Sequence, residues 1–186
     1  MNDLPTLTED FPVFVRPNIV DRQTCAELVK FTEEELGDEP VDGIVALKYE
    51  RVNHLRSPTH AHVKRLMNAF RYTAIHQVRG HFDGVGRILP STTLLTLWHP
   101  GRGLAPHCDT DTWWRTFTSI CYLNDDFAGG ELEFVRSGHV VRPEPGLFVA
   151  FRSDDRRTHH LVTPVEGGCR FTISAFLTNQ VERTEL

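Results

Sequence analysis

Ala105-Pro106-His107-Cys108-Asp109 is the stretch on which the reading of this chain turns. It reads as a β-strand. Side chains alternate faces along a strand, so His107 and Asp109 point one way and Cys108 the other. One imidazole and one carboxylate then face a common point. A second imidazole from elsewhere would complete three ligands on one side of a metal. Such a 2-His-1-carboxylate set leaves positions open, as non-haem Fe(II) requires. His159-His160 can supply the second imidazole. Ten residues beyond His160 stands Arg170, a fixed cation suited to an acidic ligand.

Outward from this stretch, residues rich in β-branched and aromatic side chains recur from Thr92 onward, broken by Gly, Pro and Asn-Asp. The expected strands are 93–98, 105–109, 116–123, 131–135, 140–142, 147–151, 160–163 and 170–177. Eight short strands with turn signals between them predict a double-sheet jelly roll. The N-terminal half has a different texture. A short strand is expected at 11–15. Asp21 caps a helix over 22–36, with Cys25, Leu28, Val29 and Leu36 on one side and Gly37 closing it. Segments 44–47 and 50–54 read as extended. Ser57-Pro58 starts a second helix, whose Val63, Leu66, Met67, Phe70, Ala74 and Val78 follow helical spacing to about Gly80. Gly80 to Gly86 lacks the Gly-Lys-Ser/Thr of a phosphate loop and reads as the exit from that helix. The fold class is therefore α+β: a jelly roll, or double-stranded β-helix, with N-terminal bracing helices. One domain over 1–186 is expected. Its mixed N-terminal part covers 1–90 and its core 91–180.

A chain of 186 residues can bury roughly 70% of the surface its unfolded form exposes, and needs no disulfide to hold it. The four cysteines, Cys25, Cys108, Cys121 and Cys169, form no C-x-x-C pair, so neither a zinc module nor a disulfide scaffold is indicated. With 20 Lys and Arg against 25 Asp and Glu, the net charge is −5. That is the wrong sign for a nucleic-acid footprint. No apolar run approaches the ~18 residues of a membrane span, and Met1-Asn2-Asp3-Leu4-Pro5 has no secretory signal pattern. A cytoplasmic location is expected. The acidic run Glu33-Glu34-Glu35 reads as a solvated helix face, and His60, His62 and His76 share no tight face with an acid.

The ordered set extends further. After His107-Cys108-Asp109 come Trp113-Trp114 and a strand ending Tyr122-Leu123-Asn124-Asp125. Gly129-Gly130-Glu131-Leu132-Glu133-Phe134 follows, then a Pro-Glu-Pro-Gly turn at 143–146. Pro164 lies four residues after His160, and Arg170 ten after it. Together these resemble the catalytic domain of the prolyl-hydroxylase family of Fe(II)/2-oxoglutarate oxygenases, in both its collagen-type and oxygen-sensing branches. The likeness covers about residues 94–178.

The resemblance implies metal ligation by His107, Asp109 and His160. His159 and Asp111 are the competing candidates, and a polar sheet interior with satisfied histidines is the plain structural alternative. It implies binding of 2-oxoglutarate by Arg170, helped by Tyr122. A guanidinium fork matches a carboxylate in a two-pronged contact. Thr172 and Ser174 share the strand face of Arg170, so their hydroxyls can reach the same ligand. The implied cofactors are Fe(II), 2-oxoglutarate and O₂, with ascorbate as a further candidate. The implied chemistry is C–H hydroxylation coupled to conversion of 2-oxoglutarate to succinate and CO₂. Asp109 disfavours the halogenating subset, which has a small residue there. Phe176 stands where nucleic-acid demethylases of the superfamily carry a second arginine. One departure is Trp98-His99-Pro100-Gly101, where the family usually has tyrosine before Pro-Gly; tryptophan donates a hydrogen bond and cannot accept one.

A free amino acid or natural-product intermediate is the expected substrate. A prolyl or other residue in a protein, desaturation or ring closure, and a non-catalytic 2-oxoglutarate or metal sensor are the alternatives. Arg102, Asp111, Trp113, Trp114 and the segment Asn53-His54-Leu55-Arg56 are the candidates to line the substrate pocket.

Overall fold

Alternation along the strands decides the architecture. The computed structural model describes residues 11–36, 44–54, 57–109 and 114–184. Its largest sheet has six strands in the order β1-β9-β5-β12-β3-β2. These are β1 (Val13–Arg16), β9 (Phe148–Arg152), β5 (Phe117–Tyr122), β12 (Arg170–Thr178), β3 (Leu89–Trp98) and β2 (Ile44–Lys48). A four-stranded sheet opposes it in the order β4-β10-β7-β8, made of β4 (Leu104–His107), β10 (His160–Val162), β7 (Leu132–Phe134) and β8 (His139–Val141). A small pair, β6 (Ala128–Gly129) with β11 (Val165–Glu166), completes the jelly roll. Two strands of two residues carry too little pattern to be seen in sequence.

Each strand of the large sheet presents two faces. Leu95 and Leu97 of β3, Phe171, Ile173, Ala175 and Leu177 of β12, and Cys121 of β5 belong to one apolar cluster with the helices. Their neighbours, one residue along, line the opposite face. There Trp98 is paired with Arg170, Thr96 with Thr172, and Leu94 with Ser174. A one-residue slip would exchange the two faces, so burial of seven apolar side chains fixes which residues reach the site.

The helices cover the apolar face. Asp21 accepts from the Thr24 backbone N–H at 2.9 Å and starts α1 (Arg22–Leu36). Ser57 accepts from the His60 N–H and starts α3 (Pro58–His81), with proline at its first turn. Such caps contribute about 1 kcal/mol each. Val63, Met67, Phe70, Ala74 and Val78 of α3 are buried; Leu66 packs partly buried beside them. Two histidines on α3 are used between helices: His60 meets Glu35 at 2.9 Å and His62 meets Glu27 at 2.9 Å. The helix ends at His81, and its exit through Gly84 and Gly86 is as expected. Gly37 lies outside the described residues.

Two expectations fail. Residues 50–54, read as extended, belong to a short helix, α2 (Tyr49–His54). Tyr49 and Val52 are both buried. A spacing of three puts two side chains on one face of a helix and on opposite faces of a strand, so burial of both selects the helix. The strand expected over 105–109 stops at His107. Its partner β10 begins at His160, directly opposite His107. No ladder remains for Asp109, which lies in the following turn. All four cysteines are free thiols, and burial pushes the Cys25 thiol up to about 11. Among the described residues, no helix is long and apolar enough to cross a membrane.

Candidate active site

His160 pairs with His107 across β10 and β4, which sets the two rings 4.3 Å apart between centroids. Directly opposed residues on neighbouring strands bring their side chains together. Asp109 reaches the same point from the turn, with Oδ1 3.6 Å from His107 Nε2. One ligand atom from each of His107, Asp109 and His160 lies within 4.8 Å of the others. His159 is half-exposed and outside this cluster.

The hydrogen bonds set the chemistry of the donors. His107 Nδ1 lies 2.9 Å from the Ala105 carbonyl, and His160 Nδ1 lies 2.8 Å from the Thr158 carbonyl. A carbonyl only accepts, so each Nδ1 carries a proton, and in the neutral ring Nε2 is the atom with the lone pair. Burial pushes the His160 pKa below its usual value, and Asp109 opposes this. Burial raises the Asp109 carboxyl, but His107, His160 and Thr118 together hold it below the usual carboxylate range. Two imidazoles with Nδ1 engaged elsewhere and one carboxylate form a donor set that fits a divalent first-row metal.

The other end of the cleft is cationic. Arg170 is 1% exposed and Tyr122 is fully buried. The guanidinium carbon lies 4.5 Å from the Trp98 ring centroid and 5.1 Å from that of Tyr122. Trp98 turns its indole N–H to the Thr96 hydroxyl at 3.1 Å. Arg170 Nε and Nη1 and the Tyr122 hydroxyl have no hydrogen-bond partner. Burial pulls the guanidinium below its usual range, with Tyr122 opposing, and burial pushes the Tyr122 phenol up. A buried cation with unmet donors costs several kcal/mol, by an order-of-magnitude count, until an anion meets it. A dicarboxylate such as 2-oxoglutarate fits that need. Gly130 makes room for this arginine. Its φ is +67°, and an added Cβ would lie 2.9 Å from Arg170 Cδ.

Between the two ends runs a cleft of about 200 Å³. Thr172 and Ser174 line it, as do Thr118 and Ile120 of β5. Ile44 and Leu104, also among its lining residues, are exposed at 37% and 39%.

A family model for the 2OG-Fe(II) oxygenase superfamily matches residues 92–178, the span that holds both ends of the cleft. That span is a domain of this superfamily. The oxygenase has the fold of several solved structures. A viral collagen prolyl hydroxylase from Paramecium Bursaria Chlorella virus-1, in complex with 2-oxoglutarate, is 12% identical. It matches with a TM-score of 0.72 over 91% of this chain and 97% of that one. A Pseudomonas putida prolyl-4-hydroxylase is 19% identical, with a TM-score of 0.67 over 92% and 94%. A Trichoplax adhaerens prolyl hydroxylase in complex with a hypoxia inducible factor peptide fragment is 18% identical, with a TM-score of 0.67 over 94% and 86%. No curated protein sequence matches the chain significantly. The oxygenase is a dioxygenase whose superfamily uses Fe(II), 2-oxoglutarate and O₂.

Of the expected site residues, His107, Asp109, His160, Arg170, Thr172 and Ser174 all border the cleft, and Tyr122 sits beside Arg170. The expected substrate residues fare differently. Trp114 packs under Arg183, whose guanidinium carbon lies 4.7 Å from its ring, and neither Trp114 nor Arg102 is among the lining residues. Asp111, Trp113, Leu55 and Arg56 lie outside the described residues, as do the side chains of Asn53 and His54. Arg115, which the sequence reading passed over, stands over the ring of cleft-lining Phe176 at 3.8 Å. Its Nε is buried without a hydrogen-bond partner. Burial pulls its pKa down, and the negative charge of Asp109 opposes this. The one available signal was its place just before the 116–123 strand.

Proposed function

We propose that this dioxygenase hydroxylates an unactivated C–H bond of a small carboxylate-bearing substrate, a free amino acid or natural-product intermediate. In this reading, His107, Asp109 and His160 hold Fe(II). Arg170, with Tyr122, Thr172 and Ser174, holds the distal carboxylate of 2-oxoglutarate. The observation that carries the reading is the pairing of a lone-pair-rich triad with a buried, unmet guanidinium in one cleft. Bound iron with 2-oxoglutarate supplies the oxidant: O₂ is consumed, the keto acid becomes succinate and CO₂, and one oxygen atom enters the substrate C–H bond.

The chain's own residues do the rest. Arg170 orients the co-substrate through a two-pronged contact. The Nδ1–H contacts of His107 and His160 to carbonyls fix both rings, as outer partners of ligating histidines do. Ile44 and Leu104 give the mouth an apolar rim that excludes water around an aliphatic group. Arg115 packs over cleft-lining Phe176, and its guanidinium is suited to a substrate carboxylate. A prolyl residue in a peptide is the second reading, favoured by the likeness to prolyl hydroxylases, one with a bound peptide.

The test is a screen of free amino acids and proline-containing peptides for stimulation of succinate formation from 2-oxoglutarate with Fe(II), ascorbate and air. Stimulation by an amino acid, lost in Arg115→Ala, is expected. Stimulation by peptides alone would move the assignment to the second reading. No succinate under any condition would favour a non-catalytic sensor.

A further inference from the structure

We infer that Thr118, backed by Ser153, is the positioning residue that orients Asp109 in the metal site. The inference rests on the reading of Asp109 as a ligand. Thr118 sits on β5 facing the cleft, and its hydroxyl donates to Asp109 Oδ2. The Thr118 and Ser153 hydroxyl oxygens are 2.8 Å apart. Both residues are buried, at 2% and 1% exposure. The Ser153 N–H is tied to the Thr116 carbonyl at 2.9 Å, so the large sheet itself holds Ser153 behind Thr118.

The direction of this chain is forced. An ionised carboxylate accepts only, so the single hydroxyl proton of Thr118 goes to Asp109. The contact between the two hydroxyls must then run from Ser153 to Thr118. Each donation polarises the next in a low-dielectric interior. The result is a carboxylate with Oδ2 taken up by the sheet and Oδ1 left beside the His107 imidazole.

This device answers a local problem. Asp109 lies beyond the end of β4, in a turn with no ladder to hold it. Without the Thr118 hydroxyl, Oδ2 loses its tie to the large sheet. The two imidazoles have a paired strand beneath them; the carboxylate takes this hydroxyl chain from the facing sheet. Thr118 thereby joins the metal corner to the large sheet that carries Arg170.

The experiment is calorimetric titration of Mn(II) into metal-free parent, Thr118→Val, Thr118→Ser, Ser153→Ala and Asp109→Ala, with a thermal melt of each. Valine keeps the shape and β-branching of threonine and removes only the hydroxyl. A loss of about tenfold to a hundredfold in Mn(II) affinity is expected for Thr118→Val, as for outer partners of metal ligands generally. Thr118→Ser should return to within about threefold of the parent, and Ser153→Ala should lose less than Thr118→Val. Unchanged or tighter Mn(II) binding by Thr118→Val would overturn the inference, as would equal losses in Thr118→Val and Thr118→Ser. Should Thr118→Val not fold, Thr118→Ala carries the same expectation. Asp109→Ala separates the two levels. If it binds Mn(II) like the parent, the ligand reading itself is wrong; if it alone loses affinity, only the role of Thr118 is wrong.

Discussion

The two ends of the cleft are built on opposite principles. At the metal end the protein satisfies its own polar groups: His107 and His160 each give their Nδ1 proton to a carbonyl, and Asp109 Oδ2 accepts from Thr118. What remains is a set of ligand atoms gathered at one point. At the Arg170 end the protein leaves donors unmet on a side chain 1% exposed, flanked by two aromatic rings that cannot accept them as a carboxylate would. Native interiors seldom leave buried polar groups unpaired. On the proposed reading, one bridging molecule answers both ends. 2-Oxoglutarate carries a carboxylate for Arg170 on one side and metal-chelating oxygens on the other.

The largest effects should come from the metal end. His107→Ala, Asp109→Ala and His160→Ala are each expected to abolish succinate formation, while His159→Ala retains activity. Zinc or manganese in place of iron should preserve 2-oxoglutarate binding and remove turnover. A zinc-loaded, iron-free protein at full activity would break the comparison, because the lone pairs would then serve hydrolytic chemistry.

Next comes Arg170. Breaking a desolvated charge pair costs about 3–5 kcal/mol, and a charged hydrogen bond contributes about 1.5–3. At about 1.4 kcal/mol per tenfold, Arg170→Ala should weaken 2-oxoglutarate binding by roughly one to three orders of magnitude. Arg170→Lys should recover only part, since a point charge lacks the fork.

Gly130→Ala sharpens the same end without touching a ligand. Its Cβ would lie 2.9 Å from Arg170 Cδ and from Phe127 Cε2, at a φ of +67°. A left-handed conformation costs a non-glycine residue about 1–2 kcal/mol. A fall of about 2–8 °C in melting temperature and about tenfold weaker 2-oxoglutarate binding are expected, with Mn(II) affinity kept. The smallest effect belongs to Tyr122→Phe. It removes one neutral donor worth about 0.5–1.5 kcal/mol, so calorimetry should show roughly a twofold to tenfold loss.

Sequence reading recovered most of this because its two periodicities were informative. Val63, Met67, Phe70, Ala74 and Val78 marked the bracing helix. The alternation from Arg170 through Thr172 and Ser174 marked one cleft wall. The 107–109 spacing anticipated that His107 and Asp109 face one point, though through a geometry it did not foresee, a strand end followed by a turn. What escaped was set by partners distant in the chain. Residues 50–54 fold as a helix because Tyr49 and Val52 share one core. The positions of Arg115 over Phe176 and of Ser153 behind Thr118 depend on which strands adjoin, and no local pattern carries that. Trp114 reads as a pocket aromatic in sequence, yet it packs with Arg183, nearly seventy residues on.

The division between the two ends is tested most directly by titrating Mn(II) and then 2-oxoglutarate, without oxygen, into parent, Asp109→Ala and Arg170→Ala protein. The expected pattern is asymmetric. Asp109→Ala should lose Mn(II), and with it the metal-assisted binding of 2-oxoglutarate; Arg170→Ala should bind Mn(II) like the parent and 2-oxoglutarate about ten to a thousand times more weakly. An Arg170→Ala protein that binds 2-oxoglutarate like the parent would contradict the account and place the co-substrate carboxylate elsewhere.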